Sequence, residues 1–143
     1  MEISKRKHLS FTSLFAALFI FTSCQSDTPA STTGALTLTS KDDAKSTIVA
    51  IAKAAQTCWF KSKDPAFKTY RLATEVNSHS GRPRILLVPK NKPSGLPKLV
   101  IEGQTQNART TINAFGPLLS GALGARINQD VQRWAIGKKD CKA

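Results

Sequence analysis

Two segments of the chain carry apolar residues at the spacing of an amphipathic helix. The first covers residues 41–57, where Ser40 can cap the first turn together with Asp43 three residues later. The second covers residues 118–136, follows a Gly-Pro pair and ends at Gly137. The apolar positions are Ala44, Ile48, Ile51, Ala52 and Ala55 in the first segment and Leu119, Leu123, Ile127, Val131 and Trp134 in the second. This pattern predicts an N-terminal and a C-terminal helix.

Strand-like segments and turn residues alternate between the two helices. Strands are predicted over residues 67–76, 82–88 and 98–103, and a weaker, Thr-rich fourth strand over residues 108–114. Turn-forming residues join the first two strands as a hairpin, and a loop with three prolines precedes the third. The order helix, three or four antiparallel strands, helix predicts a single two-layer α+β domain over residues 41–143.

The two middle strands contain unbroken apolar runs, Ile85-Leu86-Leu87-Val88 and Leu99-Val100-Ile101. Such runs are typical of strands that are covered on both faces, and the two helices can provide that cover, one on each face. If both helices instead pack on the same face, Leu86, Val88 and Val100 or their alternates lie open on the other face. An exposed apolar patch of that kind usually marks an interaction site.

The first 24 residues differ in character from the rest of the chain. A basic start, Lys5-Arg6-Lys7-His8, precedes an uncharged apolar run over residues 9–21, which is the pattern of an export signal. The end of this segment, Phe21-Thr22-Ser23-Cys24, resembles the lipobox of bacterial lipoproteins. The resemblance implies that residues 1–23 are removed as a signal peptide and that Cys24 receives the lipid.

The residues after Cys24 predict the membrane that holds the anchor and the way the domain is attached to it. Gln25 stands where an aspartate would resemble an inner-membrane retention signal, so the resemblance favours a lipid anchor in the outer membrane that faces the periplasm. Residues 25–40 are rich in Ser, Thr, Ala and Gly and predict a flexible tether between the anchor and the domain.

The number of cysteines predicts a covalent link within the domain. Once Cys24 is lipidated, Cys58 and Cys141 remain, and an even pair outside the cytoplasm predicts one structural disulfide.

The chain has a net charge of +12, and about +10 is left after residues 1–23, which hold three basic residues and one acidic residue. This balance favours anionic partners, although a merely solvated basic surface explains it equally well. Nucleic acid is not expected in this compartment, and base-stacking aromatic residues are missing beside the basic segments.

The inventory of chemical groups predicts no catalysis, no metal and no cofactor. His79 lies in the predicted hairpin turn, and the acidic residues form no recognisable pair, with Asp64 in a turn and Asp130 on the helix surface. The basic residues are better organised, because they flank the hairpin and the proline-rich loop. The residues predicted to contact phosphate or carboxylate groups are Lys68, Arg71, Arg82, Arg84, Lys90 and Lys92.

Two functions follow from these patterns. The first is a membrane-anchored, non-enzymatic lipoprotein that binds an anionic envelope polymer or assists envelope assembly. The alternative is a structural or pilot subunit of a secretion or surface complex, which uses an apolar sheet surface for an envelope protein. A glycan-cleaving enzyme ranks third. For either binding function, the expected docking surface is the sheet face opposite the helices, beside the strand of Arg82 and Arg84.

Overall fold

The computed structural model describes residues 30–32, 34–77 and 81–141 of the chain. In these residues the elements follow one another in the order ββαββββα. The strands are β1 (Ala30–Thr32), β2 (Ala35–Ser40), β3 (Tyr70–Glu75), β4 (Arg84–Pro89), β5 (Leu99–Gln106) and β6 (Arg109–Phe115), and the helices are α1 (Ala44–Ala55) and α2 (Gly124–Ala135). A π-helical turn (Gln56–Lys61) extends α1, and 3₁₀ turns lie at Pro65–Phe67 and Pro117–Leu119.

All strands join one antiparallel sheet in the order β1-β2-β6-β5-β4-β3. Five strands of six to eight residues make the body of the sheet, and the three-residue β1 adds to one edge. The predicted α+β class, with a helix near each end of the chain, is confirmed. The prediction of three or four strands is corrected to five full strands.

The additional full strand, β2, lies inside the segment predicted as a tether. Leu36 and Leu38 are buried, whereas Thr37 and Thr39 are exposed. This alternation is the period of a strand with one covered face, and the Ser- and Thr-rich composition of the segment masks it. The tether prediction is therefore wrong for residues 34–40, and the domain begins before residue 41. Residues 1–29, which include Cys24 and the predicted export signal, lie outside the described residues.

Both helices pack on the same face of the sheet. Ile48 of α1 and Ile127 of α2 belong to one buried cluster, together with alternate residues of the strands such as Ile85, Ile101 and Ile112. At the centre of β5, Gly103 lets α1 approach closely, because a Cβ there would lie 3.1 Å from the Ala44 Cβ. Coverage of each face by one helix is therefore wrong, and the two-layer arrangement is confirmed.

Both helices begin later than the sequence predicts. The N-cap of α1 is Asp43, whose side chain accepts a hydrogen bond of 3.0 Å from the Ser46 amide. Ser40 instead ends β2 and bonds with the Thr47 hydroxyl at 2.8 Å. Helix α2 begins at Gly124, where a Cβ would fall 2.0 Å from the Leu119 carbonyl oxygen. The chain turns too tightly between the 3₁₀ turn and Gly124 for one continuous helix.

The predicted disulfide is confirmed. Cys58 lies in the π-helical turn after α1 and is bonded to Cys141, across 83 residues of sequence and a Cα–Cα distance of 5.2 Å. Beside it, Trp59 stacks on Phe67 with ring centroids 4.6 Å apart and contacts Trp134 at 4.9 Å. The covalent link therefore closes over an aromatic cluster that joins the two helices.

Asp130 is buried beside this aromatic cluster, so its prediction as a surface charge of α2 is wrong. The residue is only 2% exposed, and its carboxylate accepts hydrogen bonds from Trp59 Nε1 at 2.7 Å and Arg133 Nη2 at 2.5 Å.

Within the described ranges, no helix combines the length and the apolar character that crossing a bilayer requires.

Candidate functional site: the open face of the sheet

The face of the sheet turned away from α1 and α2 is called here the open face. Because successive side chains of a strand point to opposite sides, the residues that alternate with the buried ones form this face. Its members on the five full strands are Ala35, Thr37, Thr39, Arg71, Ala73, Glu75, Arg84, Leu86, Val88, Val100, Glu102, Gln104, Gln106, Arg109, Thr111, Asn113 and Phe115. The open face therefore combines apolar, charged and amide side chains.

An apolar row crosses the open face from strand to strand. Ala73, Leu86, Val100, Phe115 and Ala35 are direct neighbours in the register of β3, β4, β5, β6 and β2. Leu86 and Val100 are half-buried, and Phe115 is 41% exposed. Four strand spacings make the row about 19 Å long. Val88, which the sequence also placed on this face, is buried.

The next row contains Glu75, Arg84 and Glu102, which are neighbours in the register. Arginines and carboxylates pair with one another here. Arg84 Nε lies 2.6 Å from a Glu75 carboxylate oxygen. At its edge, Arg82 Nη1 lies 3.4 Å from a Glu102 carboxylate oxygen. Two of the six basic residues predicted to contact anions therefore have a carboxylate partner within the chain.

The other four predicted residues lie at the opposite end of the β3–β4 hairpin. Arg71 stands opposite Val88 in the register and donates a hydrogen bond of 3.0 Å to the Pro93 carbonyl oxygen. Lys68, Lys90 and Lys92 are exposed in the adjoining turns. Four residue steps along β4, about 13 Å, separate this group from Arg84. The structure thus divides the predicted patch into two groups.

A polar pocket that the sequence did not indicate lies where β5 turns into β6. It is open, has a volume of about 410 Å³, and is lined by Gln104, Gln106, Asn107, Arg109 and Thr111. The two turn residues, Asn107 and Ala108, have φ values of 48° and 60°, as a type I′ hairpin turn requires. This tight turn sets Gln106 directly opposite Arg109, so that the polar side chains converge.

Arg109 and Arg71 differ from the other described arginines in their carboxylate partners. Among the six arginines in the described part of the chain, Arg82, Arg84, Arg126 and Arg133 each have a carboxylate oxygen within 4.0 Å. Arg71 and Arg109 have no such partner there, and both lie on the open face. A guanidinium always carries its charge, so these two remain available to an external carboxylate or phosphate.

Most acidic residues have a structural role. Asp64 accepts hydrogen bonds from Arg126 Nη2 and from the Ala66 amide, and the arginine bond is the main cause that lowers the pKa of Asp64. The hydrogen bond from Ser46 likewise lowers the pKa of Asp43. Residues 34–77 and 81–141 contain no group of three His, Cys, Asp or Glu side chains placed to hold a metal ion. His79 lies outside the described residues.

The open face offers three kinds of contact: an apolar row, amide and hydroxyl groups that both donate and accept hydrogen bonds, and two arginines without a carboxylate partner in the described residues. These groups can contact apolar, hydroxyl-bearing and anionic parts of a ligand. No protein-family model, no curated protein and no solved structure matches this chain.

Proposed function

We propose that this chain is a lipid-anchored, non-catalytic protein of the bacterial envelope that binds an anionic polymer on the open face of its sheet. The observation that carries the proposal is Arg109, which lies in an open pocket among amide side chains and has no carboxylate partner in the described part of the chain. The net charge of +12 supports the same sign of partner, because a basic surface raises the local concentration of anions.

The lining of the pocket fits an acidic glycan. Arg109 presents the planar donor fork that matches carboxylate and phosphate groups. Gln104, Gln106 and Asn107 each offer an amide donor and a carbonyl acceptor, the complement of a sugar hydroxyl. The volume of about 410 Å³ is within the usual range for small-ligand sites. A sugar that carries a carboxylate or a phosphate satisfies both kinds of group.

The absence of catalysis is part of the proposal. Of the seven acidic residues in the described part of the chain, Asp64, Glu75, Glu102, Asp130 and Asp140 lie beside arginines, Asp43 caps α1, and Asp42 is exposed just before α1. A general acid or base has to reach a substrate, and an acid held in a structural ion pair is poorly placed for that task.

Binding is tested with the complete chain, solubilised in detergent, against an acidic glycan of the envelope such as peptidoglycan fragments. Arg109→Gln should weaken binding about tenfold or more, since a charge-assisted hydrogen bond contributes about 1.5–3 kcal/mol. Arg109→Lys should recover part of the affinity, because it restores the charge without the planar fork. Lys53→Gln is the matched control, because Lys53 is an exposed cation on α1. Equal losses in Arg109→Gln and Lys53→Gln would contradict the pocket as the binding site.

The anchor is tested separately. The apolar run over residues 9–21 and the lipobox-like Phe21-Thr22-Ser23-Cys24 support it. In phase partition with a nonionic detergent, the expressed protein should enter the detergent phase, and Cys24→Ala should return it to the aqueous phase, because acyl chains supply the membrane affinity. Unchanged partition after that substitution would refute the anchor without affecting the binding proposal.

The apolar row favours a second candidate, a structural or pilot subunit that docks an envelope protein. Phe115 is 41% exposed at the end of β6, next to Val100 and Ala35 in the register. Substitution of Phe115 by Ser should then abolish recovery of a stoichiometric protein partner. Leu96→Ser, in an exposed loop where Leu96 is 85% exposed, is the control and should leave recovery unchanged.

A further inference from the structure

Among the described residues, no strand pairs with the outer edge of β3, the last strand of the sheet. The Lys90 amide donates to the Thr69 carbonyl at 2.9 Å, which makes Thr69 and Lys90 a hydrogen-bonded pair of the antiparallel ladder. By alternation, the backbone groups of Arg71, Ala73 and Glu75 point toward β4. Those of Tyr70, Leu72 and Thr74 therefore point away from it, and β3 is the last strand in the sheet order. Such an edge is a ready template for another strand.

The sequence of β3 is complementary to itself when it is read in the opposite direction. If β3 pairs antiparallel with β3 of a second copy about a two-fold axis at Ala73, Arg71 stands opposite Glu75 of that copy, and the reverse pair forms by symmetry. The edge would then receive a partner strand of matching charge. We propose that this pairing joins two copies of the chain into a dimer with one continuous sheet.

The hydrogen-bonding pattern fits the same register. With Ala73 on the axis, Leu72 faces Thr74 of the second copy, and both residues have outward backbone groups, so they form a hydrogen-bonded pair. Arg71 and Glu75 then belong to the closer, non-hydrogen-bonded pairs, where side chains interact best. A register centred on Leu72 or Thr74 also satisfies the backbone but separates the opposite charges.

Apolar side chains at the same edge support the pairing. Tyr70, Leu72 and Val76 are partly buried against the core and remain partly exposed at this side of the sheet. In the proposed register Tyr70 faces Val76 of the second copy, so the dimer would cover these side chains further. Arg71, which lacks a carboxylate partner in the described part of its own chain, gains one.

The proposal goes beyond anion binding and does not depend on it. A two-fold axis between antiparallel strands is perpendicular to the sheet, so the open faces of both copies point the same way. The apolar row then continues across the seam, from Leu86 through Ala73 to Ala73 and Leu86 of the second copy. Each pocket lies at β5 and β6, so β4 and β3 separate it from the seam.

A cysteine placed on the axis tests the register. Ala73→Cys should crosslink two copies under mild oxidation, because the Cα atoms of a non-hydrogen-bonded pair are about 4.5 Å apart, within the range of disulfides. Leu86→Cys is the control: it lies in the same row, but three strand spacings, about 14 Å, separate the two copies of that residue. Both variants are made in the complete chain, purified in detergent, and compared with the wild type on nonreducing gels.

The expected result is a reducible dimer for Ala73→Cys alone, above the background that the wild-type cysteines give. A dimer for Leu86→Cys but not for Ala73→Cys would mean that open faces rather than edges meet, and would overturn the proposal. Absence of a crosslink in both variants would overturn it as well.

Charge reversal tests the recognition itself. Arg71→Glu and Glu75→Arg should each weaken self-association about tenfold, because each variant places like charges opposite one another at both symmetric positions. A mixture of the two variants should recover wild-type association, since the reversed charges then complement one another. Recovery also shows that both variants fold. Association that survives either reversal unchanged, or that the mixture does not restore, refutes the pairing, and glycan binding at Arg109 is unaffected by the outcome.

Discussion

Removal of the Asp130 carboxylate should be among the most destabilising single changes on α2. This carboxylate is buried and accepts hydrogen bonds from Trp59 Nε1 and Arg133 Nη2, while Arg126 Nε lies 3.8 Å away. Asp130→Ala leaves the indole N–H of Trp59 without an acceptor inside the core and leaves two guanidinium groups with one carboxylate fewer. We expect the free energy of unfolding to fall by about 3–5 kcal/mol, the usual effect of removing one member of a buried charged pair.

Two further variants separate charge from hydrogen bonding. Asp130→Asn keeps an oxygen that accepts from Trp59 but loses the charge, so its effect should be smaller, about 1–3 kcal/mol. Asp140→Ala is the matched control, because Asp140 also lies near Arg133, at 3.5 Å, but its side chain is 46% exposed. An exposed ion pair contributes only about 0–1 kcal/mol.

Urea unfolding with the disulfide intact measures these differences. Trp59 and Trp134 are both about 1% exposed, so their fluorescence reports the loss of the core. With an m-value of about 1–2 kcal/mol/M, the midpoint of Asp130→Ala should fall by at least about 1.5 M. If Asp130→Ala costs no more than Asp140→Ala, the buried carboxylate does not hold the two helices and the aromatic cluster together.

Three further predictions concern the stability of the fold. The pKa of Asp64 is lowered, so its ion pair stabilises the fold fully above the ordinary carboxyl pKa of 3.8, and this stability is lost as the pH falls through the pKa of the folded state. Between about pH 5 and pH 2 the wild type should therefore lose more unfolding free energy than Asp64→Asn. Equal slopes of unfolding free energy against pH in the two proteins would contradict the ion pair. Replacement of Cys58 and Cys141 by Ser should cost about 4–5 kcal/mol in chemical unfolding, the chain-entropy value for a loop of this length, and a loss below about 1 kcal/mol would argue against that account. Ala108→Gly should stabilise the protein by about 0.5–1 kcal/mol because Ala108 has a positive φ of 60°. The same change at Ala125, exposed in the first turn of α2, should instead destabilise the protein, by less than the roughly 1 kcal/mol of a helix interior. Thermal unfolding of both variants measures the opposite signs.

The elements that the sequence predicts best have strong periodicity of their own. Ile127, Val131 and Trp134 mark the buried side of α2 at helical spacing, and all three are buried. Strand β2 was missed because the alternation of Leu36 and Leu38 with threonines stands in a composition typical of linkers. The alternation therefore carries more information than the composition of the segment.

The open face and the buried acid depend on contacts between distant segments. The apolar runs around Leu86 and Val100 read the same whether one or both faces of the sheet are covered, so they do not decide the placement of the helices. Asp130 is buried by Trp59, 71 residues away in sequence, which no local pattern reveals. The pocket at Arg109 follows from a tight turn in which alanine occupies the position that glycine favours, so the usual turn signal is missing.

If Cys24 carries the proposed lipid, the early start of the sheet limits how far the domain can stand from the membrane. Only six residue steps separate Cys24 from Ala30, the first residue of β1, and six steps extend at most about 20 Å. A lipid on Cys24 would therefore keep the β1 edge close to the bilayer surface. Two copies joined at β3 would carry their anchors at the two far ends of one long sheet. Both anchors would reach the same membrane only when that sheet lies along the bilayer. The open faces of the two copies would then both point toward the bilayer or both point away from it.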